Sequence, residues 1–253
     1  MAFVLAVTNQ KGGVGKTTTA VNLAAQLATS KRRVMLIDLD PQGNATSSLG
    51  IDKQSLDATL YDVLINGAEL SSIVQSTNIK NLFLLPANTA LAQAEVDLVA
   101  MDWREFRVRE LLGSIDADVI IIDCPPALGL LTVNALTAAR GVLIPVQAEY
   151  FALEGLGQLL HTIQLVRKGL NPGLEIFGVV LTMFTKRTLL SEQVKSEVEK
   201  HFGAKLFHTV IPRNIRLAEA PSFGKTIAEH DKWSKGAKAY KSFAQEVVKR
   251  ANI

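Results

Sequence analysis

Six short apolar runs, mostly β-branched, restrict what this chain can fold into: Phe3 to Val7, Val34 to Ile37, Leu82 to Leu85, Val119 to Ile122, Val142 to Val146 and Ile176 to Leu181. Each is nearly continuous rather than alternating, as strands buried on both faces are. Helical patterns separate most of them, over 17–30, 104–114, 129–139, 151–168 and 189–202. Strand alternating with helix predicts an α/β fold, a doubly wound, mostly parallel sheet of about seven or eight strands with helices on both faces. A further strand is expected at Leu206 to Ile211. A closing helix is expected from Ala237 to Arg250, with Tyr240, Phe243, Val247 and Val248 on one stripe. No linker or repeat interrupts the 253 residues, so a single domain over 1–253 is expected.

The same runs are too short to cross a bilayer, and no basic leader precedes the first strand, so neither a membrane span nor a signal peptide is expected. One cysteine, Cys124, excludes an intramolecular disulfide and a cysteine-only metal cluster within one chain. These features point to the cytoplasm.

Immediately after the first run comes Asn9-Gln10-Lys11-Gly12-Gly13-Val14-Gly15-Lys16-Thr17-Thr18, which leads into a helical pattern. Strand, glycine loop and helix is the context of a phosphate-binding P-loop. Glycines let backbone N–H groups converge on phosphate oxygens, and the helix N-terminus adds its positive dipole end. Lys16 supplies a mobile charge for β- and γ-phosphates, and Thr17 a hydroxyl for Mg²⁺. The loop thus predicts binding of MgATP or MgGTP through Gly12, Gly13, Val14, Gly15, Lys16, Thr17 and Thr18. It departs from the ordinary pattern in carrying Gln10 where a glycine is usual, and a second lysine, Lys11.

After the second run stands Asp38-Leu39-Asp40-Pro41-Gln42-Gly43-Asn44. Carboxylates at i and i+2 on a strand end are expected to point the same way and grip hydrated Mg²⁺, although a strand cap or turn uses the same residues. The fourth run ends in Asp123, within Asp118 to Pro126. Cys124 beside it reads as a small buried thiol.

The segment KGGVGKTTTAVNLA resembles the deviant Walker A ATPases of the ParA/MinD group. The resemblance implies ATP as the nucleotide and a homodimer with ATP sandwiched between subunits. Lys11 would reach the partner's nucleotide, and Gly12 would lie close to the opposing subunit. Lys11, Lys16 and Asp40 would be the catalytic residues, with Asp40 positioning the attacking water in a switch I segment. Asp38 would support the magnesium shell, Asp123 would act as a Walker B carboxylate, and the stretch from Cys124 through Asn134 would be switch II. Slow, partner-stimulated hydrolysis follows from such a site.

Ala148 to Leu156 and Ile211 to Pro221 are similar to the ParA/Soj partitioning branch. That branch implies Pro212 and Asn214 near the nucleobase, a ParB-type centromere-binding partner, and non-specific binding to double-stranded DNA in the ATP state. The charge distribution bears on the last point independently. Residues 1–181 hold 13 Lys+Arg against 17 Asp+Glu, a net −4, whereas 182–253 hold 14 against 7, a net +7. Such a basic third suits a polyanion, nucleic acid or an anionic membrane, and equally a solvated surface. Arg187 and Arg216 match DNA-contacting positions of the family, with Lys195, Lys225 and Lys241 as weaker additions.

Three rivals share the fold. A MinD-like membrane oscillator would need residues 237–250 as a free amphipathic helix, but packing onto the domain is the expected role, so no stable membrane association is expected. An iron–sulfur scaffold needs at least two cluster cysteines. A related cargo-positioning ATPase is not separated by sequence. The expected location is therefore cytoplasmic and nucleoid-associated.

Overall fold

The computed structural model describes residues 2–149, 156–186 and 188–253. Seven strands, β1 (Phe3–Val7), β2 (Val34–Asp38), β3 (Gln75–Ser76), β4 (Leu82–Leu85), β5 (Val119–Asp123), β6 (Gly141–Gln147) and β7 (Glu175–Thr182), join in the order β3-β4-β2-β5-β1-β6-β7. Every neighbouring pair is parallel except β3 on β4. The strand runs are continuous because alternate side chains enter different cores. Val4, Ala6, Met35, Ile37, Ile120 and Ile122 belong to one core. Phe3, Leu5, Val7, Val34, Leu36, Val119 and Ile121 belong to the other.

Twelve helices are found among the described residues: α1 (Lys16–Leu27), α2 (Asn44–Ser48), α3 (Leu60–Ile65), α4 (Leu70–Ile73), α5 (Leu91–Asp97), α6 (Arg107–Leu112), α7 (Leu130–Ala138), α8 (Leu156–Gly169), α9 (Leu189–Phe202), α10 (Ile215–Glu219), α11 (Ile227–His230) and α12 (Lys235–Ala251). The first core is covered by α3 to α9 and the second by α1, α2 and α10 to α12. Helices on both faces of a mostly parallel sheet is the doubly wound architecture expected.

Two expectations need correction. Leu206 to Ile211 is not a strand. It runs beside β7 and meets it at one isolated parallel bridge, Val179 with Leu206, with Phe207 N–H donating to the Val179 carbonyl and Ile211 N–H to the Leu181 carbonyl, both at 2.8 Å. Between them the ladder is broken because the Glu246 carboxylate of α12 accepts the N–H groups of His208 (2.8 Å) and Thr209 (3.0 Å). The seventh strand is instead the short antiparallel β3. The helix expected over 104–114 begins only at Arg107, because Trp103 turns the chain in a left-handed conformation (φ 54°) and its carbonyl accepts the Phe106 N–H. Of the helix expected over 151–168, residues 151–155 lie outside the described residues.

The closing helix does pack onto the domain. On α12, Tyr240, Phe243, Ala244 and Val247 are buried against the face that α1 also covers, and the Tyr240 hydroxyl meets Thr19 Oγ1 at 3.2 Å. Its apolar stripe is spent on the core, which leaves Lys238, Lys241 and Lys249 exposed. No helix among the described residues is long and apolar enough to cross a membrane.

Candidate functional site

β1 lies between β5 and β6, where the winding reverses direction, so the loop after Val7 opens at the carboxyl end of the sheet. Both ends of that loop are held by neighbouring strands. Asn9 Nδ2 donates to the Pro145 carbonyl of β6 at 2.7 Å, while Asn9 Oδ1 accepts the Lys11 N–H at 3.1 Å. The Thr182 hydroxyl at the end of β7 donates to the Val14 carbonyl at 2.8 Å. Between these anchors Gly13 (φ 73°) and Gly15 (φ 86°) take left-handed conformations that a side chain would strain. Gly12 is exposed, lies outside the left-handed region and has open space where a Cβ would stand. Thr17 and Thr18 follow in the first turn of α1.

The two lysines of the loop differ in their surroundings. Lys16 is buried, and its Nζ donates to the Lys11 carbonyl at 3.2 Å. Burial holds its ammonium below the usual lysine range, opposed by the nearby carboxylates of Asp123 and Asp40. An ammonium has three donors, so two remain for an anion over the glycine amides. The Lys11 ammonium is half-exposed and makes no ion pair among the described residues.

Three carboxylates stand beside the loop. Asp123, the last residue of β5, is fully buried, and neither of its oxygens has a hydrogen-bond partner. Burial, followed by the charge of Asp38, pushes its pKa well above the usual carboxylate range. The Thr17 hydroxyl tempers the effect without forming a well-aligned bond. Two unpartnered buried oxygens next to Thr17 suit a hydrated divalent cation. No group of three His, Cys, Asp or Glu side chains that could hold an ion gathers among the described residues. The remaining ligands would have to be phosphate oxygens and water, which is the habit of Mg²⁺ rather than of a caged metal.

Asp38 does not share this freedom. The buried Asp38 carboxylate turns inward. Oδ2 accepts the backbone N–H and hydroxyl of Thr46 at 2.8 and 2.7 Å, and Oδ1 accepts the Asp40 N–H at 3.3 Å. Burial raises its pKa to about 6 against these hydrogen bonds. These bonds tie the last residue of β2 to Thr46 of α2. Asp40, near the loop, accepts the Gln42 N–H with Oδ1 at 2.9 Å and keeps Oδ2 free among the described residues. Thr46 and the anchors Asn9 and Thr182 were invisible to sequence reasoning, because their partners are 8, 136 and 168 positions away. Cys124 is a buried thiol whose Sγ donates to the Ile122 carbonyl at 3.8 Å, and burial pushes its pKa up, so it rests as an inert thiol.

A family model described as an AAA domain matches residues 2–176. The chain is 54% identical over 250 residues to the sporulation initiation inhibitor protein Soj of Bacillus subtilis, covering 98% of this chain and 99% of the relative. It is 52% identical over 246 residues to the chromosome-partitioning ATPase Soj of Thermus thermophilus, covering 97% and 95%. The chain belongs to the ParA/Soj family of partitioning ATPases. Its activity is ATP hydrolysis. A solved structure of a Mycobacterium smegmatis protein, described as cobyrinic acid a,c-diamide synthase with a bound ATP analogue and magnesium, superposes with a TM-score of 0.88. That protein is 40% identical, and the match covers 100% of this chain and 96% of the other.

In this ParA/Soj-family chain Pro212 and Asn214 share a cavity of about 190 Å³ with Gly15 and Thr18 of the loop, and with Thr182 and Tyr240. Asn214 Oδ1 caps α10 by accepting the Leu217 N–H at 3.2 Å, which leaves its amide Nδ2 as the group able to address a ring nitrogen.

The basic residues expected to contact DNA are less concentrated. Arg187 lies outside the described residues. Arg216 on α10 is partly committed to Glu219 (2.8 Å) and Asp231 (3.9 Å). Lys195 is half-buried on α9, whereas Lys225 and Lys241 are exposed. None of these four lines the broad groove of about 950 Å³ bounded by residues 184–186 after β7, the 208–213 segment and α12. That groove carries Lys186, His208, Arg213, Lys235 and Lys238; no carboxylate lines it among the described residues, although Arg213 is paired with Glu149 at 2.9 Å. Lys235 and Lys238 are three apart on the polar side of α12, a spacing readable in sequence. Their meeting with Lys186 across the groove was not.

Proposed function

We propose that this chain is a MgATP-dependent switch whose ATP-bound homodimer binds double-stranded DNA without sequence preference, and that a ParB-type centromere-binding partner stimulates hydrolysis to move a chromosome or plasmid. The nucleotide-bound state is then nucleoid-associated in the cytoplasm. The observation that carries the reading is the contrast between the loop lysines. Lys16 turns inward onto the Lys11 carbonyl beside Asp40 and Asp123, whereas the Lys11 ammonium is unpaired next to an exposed, unobstructed Gly12.

The residues have separable tasks. The glycine amides and Lys16 would hold the phosphates, with Thr17 and, through water, Asp123 holding Mg²⁺. The chemistry that ion supplies when bound is neutralisation of charge on the phosphate oxygens. Asp40, through its free oxygen, would orient the attacking water, and Asp38 keeps the switch I turn in place for it. Lys11 would complete the neighbouring subunit's site, which ties hydrolysis to dimerisation. The groove at Lys186, Lys235 and Lys238 supports the DNA reading, since phosphate contacts alone suffice for non-specific binding.

A gel shift on arbitrary duplex tests the proposal. A complex should form with ATP, disappear with ADP and weaken steeply as salt rises. Equal binding in both nucleotide states would overturn the switch.

A further inference from the structure

The N-terminus of α7 is capped from an unexpected place. Its N-cap residue, Gly129, offers no side chain, and the orphan N–H groups of Leu130 and Leu131 are accepted by the Glu95 carboxylate of α5 at 2.8 and 3.2 Å. Gly129 has ordinary extended backbone, yet a Cβ there would stand 2.6 Å from Glu95 Oε1, so an added side chain would displace the carboxylate. Between Asp123 and α7 lie only six residues, Cys124 to Gly129, two of them proline. The near end is fixed by the Cys124 N–H on the Val7 carbonyl (3.1 Å), and the far end by Glu95. The two prolines restrict this six-residue segment, so the position of α7 and that of Asp123 are linked through it.

The segment that leads into α5 also touches switch I. The Ala87 N–H donates to Thr46 Oγ1 at 3.0 Å, and Thr46 in turn holds Asp38. A Cβ on Gly43 would stand 2.6 Å from the Ala87 carbonyl oxygen. Residues 87–95 therefore contact both segments that flank the hydrolytic carboxylates.

We propose that Glu95 is a positioning residue for hydrolysis, which fixes switch II through the N-terminus of α7 and holds Asp123 in register with the switch I turn. The inference rests on ATP hydrolysis at the Asp40 and Asp123 site. It makes no claim on DNA or dimer partners.

Four variants of the full chain test it, each assayed for ATP affinity, single-turnover hydrolysis and thermal unfolding. Glu95→Gln is isosteric but sets an amide N–H₂ against a helix N–H. It should lower the hydrolysis rate on the order of 10-fold with ATP affinity within about twofold, because the phosphate loop is untouched. Gly129→Ala should do the same by expelling the carboxylate. Glu95→Ala combined with Gly129→Ala should be no worse than Glu95→Ala alone, since the clash is gone. A wild-type rate in folded Glu95→Gln, or a lowered unfolding midpoint as its only change, would overturn the role. So would additive losses in the double variant. Absence of ATP hydrolysis by the unmodified chain would instead strike at the site reading itself.

Discussion

Asp38 accepts two hydrogen bonds from Thr46 through a single oxygen, from the backbone N–H at 2.8 Å and from the hydroxyl at 2.7 Å. This ties the last residue of β2 to α2 and closes the switch I turn around Asp40. Thr46→Val, nearly isosteric, should remove the hydroxyl bond and cost about 1–3 kcal/mol, because a buried carboxylate loses a donor. Urea unfolding midpoints of the nucleotide-free protein would measure the loss, and an unchanged midpoint would show that the contact is dispensable.

The pKa of Asp38, raised to about 6 from 3.8 by burial, makes stability depend on pH. Below 3.8 both folded and unfolded chains carry its proton. Between 3.8 and about 6 the folded chain keeps the proton while the unfolded chain releases it, so stability falls as pH rises through that window. The contribution is on the order of 3 kcal/mol. Asp38→Asn should flatten this part of the profile relative to the unmodified chain, as read by denaturant titrations across the window.

Lys16 is the loop's inward charge, held near Asp123 and Asp40. Lys16→Ala should weaken ATP binding at least about 100-fold, the scale of losing charge-assisted bonds to phosphate. Fluorescent-nucleotide titration reads this directly. Retention of micromolar binding would remove Lys16 from the site.

Gly12→Val isolates dimerisation from folding and nucleotide binding. Nothing lies within 4 Å of a Cβ at Gly12, and its backbone is not left-handed, so the variant should fold and bind ATP normally. It should stay monomeric in saturating MgATP by light scattering. Asp40→Ala should instead accumulate the ATP-bound dimer by slowing hydrolysis. Dimeric Gly12→Val or monomeric Asp40→Ala would each contradict the sandwich arrangement.

The proposed DNA interface rests on the groove lysines, since Arg213 and Arg216 are both paired with carboxylates. Lys235→Ala with Lys238→Ala should lower DNA affinity uniformly across sequences and reduce the salt dependence by about two counterions. Arg216→Ala should have the smaller effect, since Glu219 and Asp231 already share its charge. Salt titrations of DNA affinity compare the two, and the reverse order would move the interface to α10.

The parallel sheet, the phosphate loop and α9 were legible in the sequence, the last to the residue at both ends, because each is written in local periodicity or spacing. Short helices such as α2 and α4 span too few turns for a pattern to show. The false strand at Leu206 to Ile211 has strand composition, and only Glu246 on a distant helix decides that two of its amides leave the ladder.

The order of residues along the chain determined that a glycine loop with two lysines follows a buried strand, and that Asp38, Asp40 and Asp123 end or follow strands beside it. Tertiary structure alone decided which carboxylate is free. Asp38 and Asp123 are paired in register on adjacent strands, yet Thr46 satisfies one while nothing satisfies the other. Desolvation and hydrogen-bond partners are set by residues brought together in space, so of two aspartates alike in sequence one is held by Thr46 and the other keeps both oxygens unpartnered.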